Sequence, residues 1–180
     1  SKFLYSIEIA DIVPTKNIES SIGRYTFYNW AIKITNLIYN APKRTNNSAN
    51  DNVNLICIKF DKFLNNHFFL TGQAHSAYLG QYVGGYAVGI IGAGIQSRGI
   101  FNDRIKSNIE LLIGAAGGGQ LALGHGSIAQ STVGLTYNIN NYLGILMSIG
   151  KVFALNNELN STVIDFGLAI NFSTLTRIVR

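Results

Sequence analysis

The sequence predicts an all-β chain, an antiparallel up-and-down barrel of about eight strands that turns its apolar face to a membrane. Three observations carry this reading. Charge is scarce, at 13% of 180 residues, and no Lys, Arg, Asp or Glu occurs between Lys62 and Arg98 or from Leu111 to Gly150. Seventeen of the nineteen glycines fall between Phe63 and Gly150. Several segments alternate bulky apolar residues with small or polar ones at the period of a β-strand.

The uncharged stretches are not helical spans. Each glycine inside a helix costs on the order of 1 kcal/mol relative to alanine, and the interspersed Gln, Ser, Asn and Thr leave no continuous apolar block of about 20 residues. Alternation fits instead. In Ser161–Phe172, Thr162, Ile164, Phe166, Leu168, Ile170 and Phe172 oppose Asp165, Gly167, Ala169 and Asn171, with Val163 as the exception. In Ser131–Ile139, Val133, Leu135, Tyr137 and Ile139 oppose Thr132, Gly134, Thr136 and Asn138. From Arg104 to Ile113, Ile105, Ile109, Leu111 and Ile113 oppose Arg104, Lys106, Asn108 and Glu110, with Ser107 and Leu112 out of step. A soluble barrel would carry charge on its solvated polar face, and residues 111–150 have none. The bulky face is therefore assigned to lipid and the small or polar face to the lumen. A soluble barrel holding a small apolar ligand is the alternative.

Taken in order, Lys2–Val13 reads as a strand and Tyr25–Tyr39 as a strand or an amphipathic helix, followed by a polar loop over 41–52 (APKRTNNSANDN). Strands then follow over 53–64, 67–79, 83–98, 104–116, 124–139, 142–154 and 161–174. Asn65-Asn66 and Asn140-Asn141 mark tight hairpins, because Asn tolerates the positive φ of two-residue turns. Other breaks fall at 80–82, 99–103, 117–123 and 155–160. Residues 1–52 thus form an N-terminal unit of one or two strands plus a loop, either part of the barrel wall or outside it, and 53–175 a glycine-rich barrel. One N-terminal strand makes eight in all, and ten follow if a further strand is counted, since bacterial single-chain barrels have even numbers. Alternating connections put both Asn-Asn turns on one rim and the loops at 41–52, 117–123 and 155–160 on the other. The chain ends on the Asn-Asn rim, which by the usual pattern of short periplasmic turns is the periplasmic one.

This organisation over residues 53–174, with the aromatic Phe166 and Phe172 in its last strand, resembles that of small bacterial outer-membrane β-barrel proteins. The resemblance implies a bacterial outer-membrane location, contact with membrane lipid or lipopolysaccharide, and a structural, adhesive or partner-binding role through exposed loops. Ser1-Lys2-Phe3 runs straight into a patterned segment, so the sequence reads as a mature form without a signal peptide. The net charge of +5 does not indicate a nucleic-acid partner, because the uncharged middle of the chain offers no row of cations for phosphates.

Little in the sequence points to catalysis. His125-Gly126-Ser127 is the most suggestive element: on a strand, residues two apart share a face, so His125 could activate Ser127, with Glu158 in a loop of the same rim. The set resembles the H-x-S element of outer-membrane lipid A deacylases, which implies a lipid-modifying hydrolase as an alternative function; a plain polar rim cluster explains the same residues. His75 and Ser76 are adjacent and point to opposite faces. Arg104, Lys106, Glu110 and Asp165 alternate onto the lumen face as a polar network that plugs a narrow barrel. Cys57 lies in an apolar run and reads as a buried, inert thiol. No metal site or cofactor is expected, since three scattered His and one Cys make no ligand set. The aromatic residues Tyr5, Tyr25, Phe27, Tyr28, Trp30, Tyr39, Phe68, Phe69, Tyr78, Tyr82, Tyr86 and Tyr142 are divided between interfacial girdles and core.

Overall fold

A computed structural model describes residues 25–45, 51–102, 104–155 and 158–177. The strand expected over Lys2–Val13 lies outside them. Eight strands follow in chain order: β1 (Tyr25–Asn40), β2 (Val53–Phe63), β3 (Phe68–Leu79), β4 (Ala87–Gln96), β5 (Ile105–Gly117), β6 (Ser127–Asn138), β7 (Leu143–Ala154) and β8 (Asn160–Arg177). Each pairs antiparallel with its sequence neighbours. β1 also pairs with β8, from Tyr25↔Arg177 to Asn40↔Thr162, closing an eight-stranded barrel without a free edge. Tyr25–Asn40 is a strand, which settles the helix-or-strand ambiguity: its outward Ile34 and Ile38 and inward Lys33, Thr35, Leu37 and Tyr39 keep period two.

Alternation divides every strand between lumen and exterior. The exterior carries exposed Ile34, Ile58, Ile91, Leu111, Ile113, Leu135, Met147, Ile149 and Leu168, a belt of aliphatic side chains that water solvates poorly. Aromatic residues flank it. Tyr28, Phe68, Tyr137 and Tyr142 stand near one rim, and Tyr78, Tyr82 and Phe153 near the other. Lys62 Nζ sits 5.1 Å from the Tyr28 ring and 5.3 Å from the Trp30 ring, a cation on an aromatic girdle. This is the surface of a barrel that spans a membrane. Of the other aromatics, Tyr39, Phe69 and Tyr86 are buried inside.

The connections sort as the rim parity requires. The short turns 64–67 and 139–142, the connection between β4 and β5, the start of β1 and the end of β8 share one rim; the other four connections share the opposite one. The two Asn-Asn turns are built alike, but not through positive φ, which none of their four asparagines adopts. Instead Asn65 Oδ1 accepts the amides of His67 and Phe68, both at 2.8 Å. Asn140 Oδ1 accepts those of Tyr142 and Leu143, at 2.9 and 2.8 Å. Asparagine stands there because its side chain imitates a backbone acceptor.

Two strand starts differ from the sequence reading by more than one residue. β4 begins at Ala87 rather than 83, because Tyr82 and Gly85 take positive φ and the Tyr86 amide turns back to the Val83 carbonyl. β6 begins at Ser127 rather than 124, since Gly124 (φ 57°) and Gly126 (φ 79°) cannot continue a strand.

Candidate functional site in the lumen and at the rims

The lumen is layered along the barrel axis. Under the long-loop rim it is apolar, filled by Leu37, Tyr39, Val53, Leu55, Ile90, Leu112, Ile128, Val152 and Val163, and roofed by Val83, Tyr86, Leu121, Leu123 and Leu159. The expectation of a small or polar interior fails in this half. Of the three residues out of step with alternation, Leu112 and Val163 are lumen core, where the strands are apolar on both faces, and Ser107 is exposed.

Below this plug lies a buried charge network. Lys33 Nζ is 2.6 Å from Asp61 Oδ2 and 3.6 Å from Glu110 Oε1, and Lys59 Nζ is 2.5 Å from Asp165 Oδ2. Gln73 donates to Glu110 at 2.9 Å, and Ser148 donates to Asp165 at 3.4 Å. His75 is buried with Nε2 3.3 Å from the side-chain Oε1 of Gln73, while Ser76 is exposed. Ions at membrane depth persist only when paired and hydrogen-bonded in this way.

Of the lumen residues expected from sequence, Glu110 and Asp165 are in this network. Arg104 and Lys106 are not: they line the mouth of the lumen at the short-turn rim. The ammonium partners are Lys33 and Lys59, with Asp61 as a third carboxylate. Their signal was present, because Leu55, Cys57, Lys59 and Asp61 alternate against Ile56, Ile58 and Phe60 in β2, but the sequence reading did not extend its face assignment to that segment.

Beyond the network the lumen opens at the short-turn rim into a vestibule of about 870 Å³. Lys33 and Phe69 reach it from the network side, and Arg98, Arg104 and Lys106 stand around its mouth.

At the opposite rim the loops form a cap. The Thr45 amide donates to the Gln120 carbonyl (2.8 Å), Ala122 to Lys43 (3.0 Å), Gln120 to Tyr82 (2.9 Å) and Gly119 to Gly84 (3.2 Å). Asp51 joins two loops: its carboxylate accepts the Gln81 amide at 2.6 Å and pairs with buried Arg44 at 3.0 Å. The Gln81 amide, followed by the Arg44 guanidinium, holds the Asp51 carboxyl below its usual range.

His125 and Glu158 line one shallow cleft on this cap, next to Gly117 and Gly126. The geometry expected for His125 and Ser127 is absent. His125 precedes β6, and the left-handed Gly126 between the two breaks the period-two relation. Both are exposed, and no hydrogen bond joins them among the described residues.

No protein-family model and no curated protein matches the sequence. Solved structures do match. A structure reported under the de novo design of transmembrane β-barrels aligns with TM-score 0.54 at 10% identity, over 78% of this chain and 94% of that one. Neisserial surface protein A aligns with TM-score 0.53 at 12% identity, over 81% and 97%. The N-terminal β-barrel domain of Pseudomonas aeruginosa OprF aligns with TM-score 0.53 at 12% identity, over 80% and 97%. The chain has the architecture of the small outer-membrane barrels. At such identities the likeness concerns the fold alone.

Proposed function

We propose that this chain is a sealed bacterial outer-membrane barrel, set among lipid and lipopolysaccharide, whose activity is structural, adhesive or partner-binding and resides in its capped loop rim. The carrying observation is the cap: residues 41–45 and the loops 80–86 and 118–126 are joined by backbone hydrogen bonds above an apolar plug. A barrel built to conduct would keep a wet path through its lumen, whereas this one is closed by the side chains of the apolar plug. Hydrogen-bonded loops also present a pre-ordered surface, which lowers the entropy lost on binding a partner. By the usual orientation of bacterial barrels the longer loops face outward.

The test joins conductance to adhesion. Protein in planar lipid bilayers is expected to give no steady conductance steps. Bacteria expressing the chain are expected to aggregate or attach to matrix-coated wells, and a Tyr82→Asn/His125→Ala variant, altered only at exposed cap positions, to lose that attachment while keeping its folded gel mobility. Stable channels, or attachment unchanged in the variant, would overturn the proposal.

A further inference from the structure

We infer that the vestibule at the short-turn rim is a binding site for a small hydroxyl-bearing organic anion of the sugar-phosphate class. Its lining includes nine asparagines and, among the described residues, no carboxylate. Arg98, Arg104 and Lys106 contribute three cations, none of them in an ion pair with a described residue. The network behind cannot neutralise them. It sets Lys33 and Lys59 against Asp61, Glu110 and Asp165, one formal negative charge in excess, so the described charged residues of network and vestibule sum to +2.

Three cations around a concave mouth with low-dielectric walls focus positive potential into it, and an anion entering from solvent is drawn along that field. The placing of Arg98, Arg104 and Lys106 before and at the start of β5 suits a charged group held at the mouth, with the remainder of the ligand directed inward. There the side-chain amides of Asn108 and Asn171 offer donors and acceptors together, which matches hydroxyl groups that also do both. A volume of about 870 Å³ far exceeds what one phosphate fills and is within the range of small-molecule sites.

The test uses the folded chain in micelles of an uncharged, phosphate-free detergent, so that any anion bound is the one added. Calorimetric titration at low salt with glucose 6-phosphate is expected to give saturable binding in the millimolar range, weakening as salt rises. Inorganic phosphate and glucose are each expected to bind at least about tenfold more weakly. Arg104→Gln/Lys106→Gln should lose about tenfold in affinity with its circular dichroism and folded gel mobility unchanged. Lys62→Gln, which removes an outward-facing cation near the same rim, should bind as the parent does. Absence of saturable binding, equal affinity in the Arg104→Gln/Lys106→Gln variant, or an equal loss in Lys62→Gln would overturn the site. Phosphate binding as tightly as glucose 6-phosphate would overturn the ligand class.

Discussion

Lys59 and Asp165 meet inside the barrel at 2.5 Å although 106 residues separate them and β1 runs between their strands. Their pairing ties β2 to β8 across the seam where the barrel closes. Both side chains are almost fully withdrawn from solvent, so removing one leaves the other's charge uncompensated. Asp165→Ala is expected to destabilise the barrel by roughly 3–5 kcal/mol, while Lys59→Met/Asp165→Leu should be near neutral. Urea unfolding in lipid vesicles, followed by the fluorescence of the single tryptophan, Trp30, measures both. Equal losses for the single and double variants would contradict this account.

Phe69 and Gly94 oppose each other across β3 and β4, and the aromatic ring lies over the glycine. A Cβ at position 94 would come within 2.2 Å of the ring. Gly94→Ala is therefore expected to cost about 1–3 kcal/mol through overpacking. Adding Phe69→Leu should recover part of the loss, and the same unfolding assay would reveal whether the two changes couple.

The aliphatic belt predicts a cost that depends on face. Ile149, at 57% exposure, points to the lipid; Ile149→Arg is expected to cost about 2–4 kcal/mol if it lies at the bilayer midplane, and Ile149→Leu almost nothing. Folding yield into vesicles, read by gel mobility without heating, compares them. Full tolerance of the arginine would show that this face is not in lipid.

Asp51 makes the cap sensitive to acid. Its carboxyl is held below the ordinary range in the folded chain, so its contribution is complete above the unfolded value of about 3.9 and is lost as pH falls through the lowered folded value. Amide exchange at Gln81 should stay protected near neutral pH and open in strong acid, once the intrinsic pH dependence of exchange is removed. Asp51→Asn should open it without that dependence.

Ser127 offers a direct check on the hydrolase alternative. With His125 outside β6 and Gly126 turning the backbone between them, Ser127→Ala is expected to leave the lipid composition of expressing cells unchanged. A change in lipid A acylation that disappears with this substitution would restore catalysis.

The wall of the barrel was legible in the sequence because period-two alternation is a local property. Val133, Leu135 and Tyr137 declare an outward face without reference to any other strand, and Asn65 and Asn140 mark turns through hydrogen bonds two and three residues away. Rim parity followed from connectivity alone. What the lumen holds at each height was a tertiary matter. Whether an inward residue meets the apolar plug, an ion partner or open water depends on closure and stagger, which bring β2 beside β8 and leave Arg104 at the mouth while Glu110, six residues along the same strand face, reaches Lys33. Alternation assigned a side to each residue; only the closed barrel assigned it a neighbour, because ion pairing and packing act between strands that are remote in the chain.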